Sequence, residues 1–435
     1  MRPISPLAPV LHFLLIIVFA MLLTASSLAT ASDTAITRMS QLPPEAQSSL
    51  ISALATLTET NGQANDMMGN SVAVDGNTVV VGAPQQGPYA DLPGAVYVFT
   101  KPASGWANMT PTATLTASDE NSNGHGNQLG SGVAISGDTI VASAPWSGNP
   151  LYGAVYVYTK PAGGWRNATE TARLTSTDLD SIHGSFAYIA VNGNTIVSTI
   201  ARRTGGAAYV WVKPAGGWQS ATQTAKLSPS TTAAAWFGYY VGISADTVVV
   251  GCPYQMPGEA YVFVKPGTGW HDMTETAQLR ASDERGIDQF SQSVAINGSE
   301  ILVGSPFAVV NSLQTGAAYV FVKPKTGWKN TTTFAAKLTA SDGDTQDGFG
   351  MSVAINGSTA VVGATAHPSG GPGAIYVFSR PSSGWATTSE PASATALSGA
   401  DFGYSVAASG TTIVTGEPVA VVGGELQGSA FVFGQ

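Results

Sequence analysis

A unit of 52 to 59 residues recurs seven times along the chain, and this repeat restricts the possible folds more than any other feature. Each unit holds four short apolar segments, here called strands A to D, separated by turn residues such as Asp75-Gly76-Asn77. Strand D recurs around Leu57, Leu115, Leu174, Leu227, Leu279, Leu338 and Leu397. Four short strands in each of seven units predict an all-β fold, a seven-bladed β-propeller of four-stranded blades.

The phase of the repeat predicts how the ring closes. The chain starts with a D strand near Leu57 that has no A, B or C strand before it, and it ends in a C strand at residues 431–433. We therefore expect the N-terminal strand to complete the last blade, which would leave no open sheet edge there.

The segment before the repeats predicts export. Residues 13–23 form an apolar run after Arg2, and small residues at 29–31 provide a cleavage signal. The run is shorter than the roughly 20 residues that span a bilayer. We expect a signal peptide at 1–31, a short linker at 32–51 and the propeller at 52–435, with no transmembrane segment in the mature chain. An uncleaved N-terminal anchor is the alternative.

Composition narrows the classes of partner. The chain has 44% hydrophobic and only 10% charged residues, so it is a folded protein rather than a disordered one. It carries 18 basic and 27 acidic residues, a formal charge of −9, which argues against nucleic acid as a partner. Its single cysteine, Cys252, cannot form an internal disulfide.

Several motifs resemble a known repeat. Phe349-Gly350, Phe402-Gly403 and Gly82-Ala83-Pro84, with the segment 338–342 that precedes one unit, are similar to the FG-GAP repeat of integrin alpha-subunit propellers. The resemblance covers residues 52–435. It implies the propeller fold but is not specific for a biochemical function, since a propeller hosts many activities. With the signal peptide, we expect a secreted protein, either extracellular, cell-surface or periplasmic, that functions in recognition or adhesion.

The resemblance also directs attention to metal sites. Integrin-like repeats carry calcium loops between strands A and B, but here those connections are short turns with too few oxygen ligands. A displaced match, with Asp119, Asn121 and Asn123 at calcium-loop spacing, has one carboxylate among these three residues. A polar turn explains the same residues, so we expect no cofactor, with calcium as the alternative.

No catalytic motif marks the chain as an enzyme. The histidines after residue 31 are dispersed over the blades, and no nucleophile elbow or H-E-x-x-H pattern occurs. We expect a non-enzymatic protein and keep a secreted hydrolase or lyase as a third possibility.

The two ends of the ring differ in charge. The B–C and D–A loops leave one end, here called the variable face because these loops differ between blades, and the A–B and C–D loops leave the other, the turn end. Acidic residues concentrate on the variable face, including Glu59, Asp66, Asp119, Asp283, Asp288 and Asp342. We therefore expect an acidic variable face.

Blades three and four depart from the pattern on that face. Tyr188 and Tyr240 replace a residue that is serine in four other blades. We predict a ligand-binding sector made of Trp146, Tyr188, Arg202, Arg203, Trp236, Tyr240 and Tyr254, since aromatic residues and arginine are frequent interface anchors. Alternatively, the larger side chains fill the wedge near the ring axis.

Six Gly-Trp loops allow a second functional hypothesis. Exposed tryptophans can stack on sugars, but a tryptophan at the same place in each blade is also explained as a staple that packs its loop. We expect a macromolecular ligand, protein or glycan, on the variable face, and a carbohydrate-binding propeller is the alternative.

Removing divalent cations tests the metal prediction. Because no A–B turn holds a complete calcium loop, EDTA should leave the thermal unfolding midpoint almost unchanged. Calorimetry with and without EDTA measures this, and a drop of many degrees would show that the Asp119 loop or the loop at Asp342, Asp344 and Asp347 binds an ion.

Overall fold

The computed structural model describes residues 52–434 except 61, 85–92, 120–125, 149–152, 178–185, 204, 232–233, 366–370, 372, 391 and 396–400. The predicted signal peptide and linker lie outside these residues. The described residues form strands, turns and loops, and they include no helix suited to crossing a bilayer.

Seven sheets form the seven predicted blades, and the predicted fold class is confirmed. Strand A of blades one to seven is β2 (Ser71–Asp75), β6 (Gly132–Ser136), β11 (Tyr188–Asn192), β16 (Val241–Ser244), β21 (Ser293–Asn297), β25 (Ser352–Asn356) and β30 (Ser405–Ser409). Strand B is β3 (Thr78–Ala83), β7 (Thr139–Ala144), β12 (Thr195–Ile200), β17 (Thr247–Cys252), β22 (Glu300–Ser305), β26 (Thr359–Ala364) and β31 (Thr412–Glu417).

The outer strands follow the same order. Strand C is β4 (Ala95–Thr100), β8 (Ala154–Thr159), β13 (Ala207–Val212), β18 (Glu259–Val264), β23 (Ala317–Val322), β27 (Ala374–Ser379) and β34 (Ser429–Gly434). Strand D is β5 (Ala113–Thr116), β10 (Ala172–Thr175), β15 (Ala225–Ser228), β20 (Ala277–Leu279), β24 (Ala336–Ala340), β29 (Ala394–Thr395) and, for blade seven, β1 (Ala53–Leu57). A hairpin of β32 (Val421–Val422) and β33 (Glu425–Leu426) lies in the B–C loop of blade seven.

The N-terminal strand closes the ring. β1 pairs antiparallel with β34, and Ala55 lies opposite Val432 and Leu57 opposite Ala430. Leu57 is fully buried. The first described strand therefore completes the sheet that the last strand leaves open, as the phase of the repeat predicts.

The hydrophobic core lies between neighbouring blades. Alternating side chains of one sheet pack on the next sheet, so that Val80 and Val98 of blade one share a cluster with Ile140 and Tyr156 of blade two. Each blade thus buries both of its faces, and no blade has a core of its own.

The Phe-Gly motif of one blade meets a strand-B glycine of the preceding blade where the two blades approach most closely. Phe349 is fully buried, and Gly350 has a φ of +98°. A Cβ at Gly350 would lie 2.6 Å from the carbonyl oxygen of Ala317, and one at Gly304 would lie 2.0 Å from the carbonyl oxygen of Gly350. Blades five and six therefore touch main chain to main chain, which leaves no space for a side chain.

A second set of contacts links the A–B turns into a complete ring. In each turn a main-chain N–H donates to a polar side chain of the preceding blade, at 2.6–3.4 Å. The donor and acceptor residues are Gly76 with Ser409, Gly137 with Asp75, Gly193 with Ser136, Ala245 with Asn192, Gly298 with Ser244, Gly357 with Asn297 and Gly410 with Asn356. The turn end is thereby fixed around the whole circle.

The C–D loops add a fifth, parallel strand to the preceding blade. These short strands are β9 (Ala168–Thr169), β14 (Ala221–Thr222), β19 (Met273–Thr274) and β28 (Thr388–Glu390). Beside them, side chains such as Asn108, Asn167 and Asn330 accept a hydrogen bond from a D-strand N–H at 2.8–2.9 Å. The outer sheet edges are therefore covered by the next blade.

On the variable face, carboxyl groups tie the D–A loops to strand C of the blade that each loop enters. The Tyr97 hydroxyl donates to Glu59, that of Tyr156 to Asp119, and that of Tyr376 to Asp342 Oδ1 at 3.1 Å. These ties position the loops of the variable face.

Three carboxyl groups of this face, Glu59 among them, are held away from water. Burial, with Asp66 nearby, raises the pKa of Glu59 to about 7. Burial, with Asp288 nearby, raises the pKa of Glu284 to about 8, and burial, with Asp401 nearby, raises that of Glu417 to about 8. These three groups are largely protonated at mildly acidic pH.

Substituting a glycine tests the close approach of the blades. Gly350→Ala must both adopt a positive φ and clash with blade five, whereas Gly327→Ala, with a φ of +94°, has nothing within 4 Å. We expect Gly327→Ala to cost about 1–2 kcal/mol for the left-handed backbone and Gly350→Ala a further ~1–3 kcal/mol for overpacking. Chemical denaturation measures both, and equal losses of stability would contradict this account.

The raised carboxyl pKa values predict a pH dependence of stability. Because the pKa of Glu284 in the folded state lies above its unfolded value of about 4.3, its contribution is complete below that pH and is lost as the pH rises towards 8. We expect Glu284→Gln to reduce the fall of the unfolding midpoint between pH 5 and 8.5. Glu425→Gln, an exposed glutamate of the same face, should retain the wild-type profile, and identical profiles for both variants would contradict the assignment.

Candidate functional site

A cavity lies on the ring axis where the A strands begin, and all seven blades line it. Its volume is about 140 Å³. The lining residues are neutral: Asn70, Ser71, Val72, Ser131, Gly132, Val133, Tyr188, Ile189, Tyr240, Val241, Ser293, Val294, Ser352, Val353, Tyr404, Ser405 and Val406. The cavity is therefore a polar but uncharged site that the whole ring builds.

Tyrosine rings form one wall of this cavity. Tyr188 and Tyr240 lie with ring centroids 4.2 Å apart, and Tyr239 lies 5.6 Å from Tyr188 and 5.9 Å from Tyr240. Tyr404 of blade seven lies close enough to act electrostatically on Tyr188 and Tyr240. The tyrosines that replace serine in blades three and four thus lie at the ring axis. The alternative interpretation, in which larger side chains fill the space near the axis, also places them there.

Serines of blades one, five, six and seven line another part of the cavity, here called the serine wall. Ser71, Ser293, Ser352 and Ser405 each donate to a glycine carbonyl oxygen of the following blade, at 2.7–2.8 Å. The acceptor glycine follows a buried Phe, Leu or Met in each case. Each hydroxyl proton is thereby engaged, so these groups present lone pairs to the cavity.

Blade two satisfies the same carbonyl with a different residue. Gly132 has no hydroxyl at this position, and Ser143 on the neighbouring strand donates to the carbonyl oxygen of Ala187 at 2.7 Å. Ser143 also accepts from the Gly132 N–H at 2.9 Å. The hydrogen bond between blades is therefore kept although the serine has moved by one strand.

The tyrosines of the cavity are neutral phenols at physiological pH. Burial, with Tyr239 and Asp401 nearby, raises the pKa of Tyr404 to about 12. Burial also raises the pKa of Tyr188 and of Tyr240, and neighbouring phenols add to both shifts. Protonated phenols can donate hydrogen bonds, which the serine wall cannot do.

Aromatic contacts continue from the cavity to the surface. Tyr239 packs against Tyr254 at 5.2 Å, and Tyr254 packs edge to face against Trp236 at 6.1 Å. Tyr254 is 39% exposed. Trp236 has a φ of +64° and comes directly before a buried core residue. In three other blades the residue at the same position, Met67, Gln128 or Gln289, also has a positive φ. The left-handed backbone thus belongs to the repeat and is not special to Trp236.

The remaining predicted residues lie around this path. The carbonyl oxygen of Arg202 accepts from the Trp236 N–H at 2.7 Å, and Arg203 is exposed. Trp146 is 42% exposed on blade two, where its N–H donates to the carbonyl oxygen of Asn127. The structure therefore brings Tyr188, Tyr240, Tyr254 and Trp236 into one chain of contacts and places Trp146 on a separate blade.

Exposed apolar side chains concentrate on the variable face. Of the ten large apolar side chains that the described residues expose, seven lie in its B–C and D–A loops: Trp146, Tyr254, Met256, Ile287, Leu313, Val421 and Leu426. Met256 is 78% and Ile287 64% exposed, and Met256 packs over Gly286. Tyr254, Met256, Ile287 and Trp236 are called the apolar sector below.

The acidic residues of this face are less available than their number implies. Glu59, Asp66 and Asp288 are buried. Asp119 pairs with Arg173 at 3.0 Å and Asp283 with Lys337 at 2.7 Å. Much of the acidity read from the sequence is therefore used in internal contacts, and the apolar sector is the more prominent exposed feature.

The structure describes only the first of the three residues named in the displaced calcium motif. Asp119 contacts Tyr156 and Arg173, and Asn121 and Asn123 lie outside the described residues. Across the described ranges, no three His, Cys, Asp or Glu side chains are grouped in a way that could hold a metal ion. The loop prediction itself stays a prediction.

Four of the six tryptophans of the Gly-Trp loops pack between blades. Trp165, Trp218, Trp270 and Trp328 are only 6–7% exposed. Each packs in a core cluster with strands of two blades, as Trp165 does beside Leu115 and Tyr158. Side chains buried in this way cannot stack on a sugar, so the structural explanation of these residues is the better one.

One aromatic residue of the axial cavity, Tyr404, was not among the predicted ligand contacts. It occupies the same position in Phe402-Gly403-Tyr404 as Tyr239, which the sequence does place in the blade-four sector, occupies in Phe237-Gly238-Tyr239. Aligning the seven units at this position would have found Tyr404.

The comparisons with known proteins agree with this architecture. The FG-GAP repeat family matches residues 52–99, 109–158, 221–263, 273–321, 332–378 and 393–433. The interval 159–220 lies outside these matches and contains the A, B and C strands of blade three. No curated protein matches the chain by sequence.

One solved structure to which the chain is similar is the crystal structure of the WD40 beta propeller domain of Doa1. It is 10% identical, with a TM-score of 0.49, and the alignment covers 88% of this chain and 97% of that one. The six family matches lie on the blades described above and span more than half of the sequence. The chain belongs to the FG-GAP repeat family.

Proposed function

We propose that this chain is an extracellular, non-enzymatic recognition protein that binds a protein ligand through the apolar sector of its variable face. Membership of the FG-GAP repeat family supports a ligand-binding propeller in general terms. The signal-like sequence at 1–31 supports export, and a role in adhesion fits an exported propeller of this kind.

The observation that carries the proposal is the uneven distribution of exposed apolar side chains. Tyr254 and Met256 come from one loop of blade four, and Ile287 comes from the loop that enters blade five. Tyr254 packs against the partly buried Trp236. Met256 lies over Gly286, which is next to Ile287 in the chain. Clustered exposed apolar side chains on a folded surface are typical of interaction sites. Tryptophan, tyrosine and methionine are also enriched at protein interfaces.

Charge plays a secondary part in this proposal. Arg203 lies close in sequence to the Arg202–Trp236 contact, and exposed acids such as Asp344 remain on the same face. Exposed charges act over about 8 Å at physiological ionic strength, so they steer association more than they hold the complex. We expect binding to weaken moderately as salt is raised.

Paired surface variants test the choice of face. A photo-crosslinking residue at position 256 identifies the ligand in the extracellular fraction of the source cells, and titration with the purified ligand gives its affinity. Met256→Ser with Ile287→Ser should weaken binding more than tenfold, because central apolar anchors carry most of the binding energy. Trp236→Asn should also weaken it, and asparagine tolerates the left-handed backbone.

The opposite end of the ring supplies the matched control. Val212 and Val322 are 40% and 44% exposed at the ends of C strands, away from the variable face. Val212→Ser with Val322→Ser should leave affinity unchanged. The proposal is wrong if these substitutions abolish binding while the Met256 and Ile287 variant binds normally.

A further inference from the structure

We propose that the axial cavity binds a neutral, polyhydroxylated ring, and that its ligand is a single pyranose unit at the end of a glycan. This site is separate from the apolar sector, since its lining residues belong to the A strands and the residues just before them. The proposal therefore does not depend on the identity of the protein ligand.

The absence of charge in the lining sets the class of ligand. Among the described residues that line the cavity, none is Asp, Glu, Lys, Arg or His. A charged group entering it would lose its hydration without meeting an opposite charge, which is strongly unfavourable. A neutral ligand with many hydrogen-bonding groups avoids this cost.

The serine wall requires a ligand that donates hydrogen bonds. Ser71, Ser293, Ser352 and Ser405 give their protons to main-chain carbonyl oxygens of the next blade. They can therefore act only as acceptors toward the cavity. Sugar hydroxyl groups supply donors along one edge of a ring and match this wall.

The tyrosine wall offers the complementary chemistry. Aromatic rings provide an apolar surface for the C–H groups of a pyranose, and neutral phenols provide donors. Tyr188 and Tyr240 stack with ring centroids 4.2 Å apart at the cavity. Tyr404 of blade seven also lines it and supplies a further phenol.

Size and access favour the end of a chain over its middle. A volume of about 140 Å³ is below the range of roughly 300–1,000 Å³ for sites that enclose a drug-sized ligand, so one ring is the expected occupant. The aromatic contacts through Tyr239, Tyr254 and Trp236 lead from the axis to the surface. Further sugar units could follow this path.

Direct binding measurements on the full chain test the proposal. Methyl pyranosides of glucose, galactose, mannose and N-acetylglucosamine are the probes, followed by saturation-transfer NMR and calorimetry, with tetramethylammonium as a cationic probe. We expect at least one pyranoside to bind and the cation not to bind. Tyr240→Phe and Tyr404→Phe remove one hydroxyl each and should weaken pyranoside binding about three- to tenfold.

Two controls separate this site from the apolar sector. Val212→Ser with Val322→Ser, at the turn end, should leave pyranoside affinity unchanged, as should Met256→Ser with Ile287→Ser, which tests the protein-binding proposal independently. Failure of all four pyranosides to bind, equal affinity in the wild type and the doubly substituted Tyr240→Phe, Tyr404→Phe protein, or binding of tetramethylammonium in their place would each overturn the proposal.

Discussion

The contact of main chain with main chain between neighbouring blades is the constraint on which the rest of this structure depends. Where Gly304 meets Gly350, no side chain fits, so the sheets approach more closely there than packed side chains allow. This approach brings the carbonyl oxygen of Gly350 to the hydroxyl of Ser293. It thereby draws the A strands together around the axis and orients the polar wall of the cavity.

Much of this architecture could be predicted from the sequence, because strand and turn patterns that are weak in one unit recur in the same order in seven units. The number of blades, the four strands in each and the closure by the strand at Leu57 all follow from the order and phase of the repeats. The parallel fifth strands could not be predicted, since pieces such as β9 and β14 contain two residues each and have no periodicity. Asn108, Asn167 and Asn330 match the glycosylation sequon, yet their Oδ1 atoms serve as acceptors for a neighbouring sheet edge.

The properties of the candidate site could be predicted only in part, because a count of residue types does not show which side chains are exposed. Acidic residues on the variable face suggest a strong negative potential, but a sequence does not reveal that Glu59 and Asp288 are buried or that Asp283 pairs with Lys337. The aromatic departures in blades three and four were visible, whereas Tyr404 joins them only because the ring brings blade seven towards the same axis. Proximity between distant repeats is a property of closure, and no single repeat encodes it.

Closure of the ring also changes how the chain can unfold. In an open array of repeats, a terminal unit has one neighbour and can fray alone. Here the seven A–B turns form an uninterrupted circle of hydrogen bonds, so every blade has two neighbours and none is terminal. Losing any one blade would remove two interfaces together, and the cooperative unit of unfolding becomes the whole circle rather than the repeat that generated it.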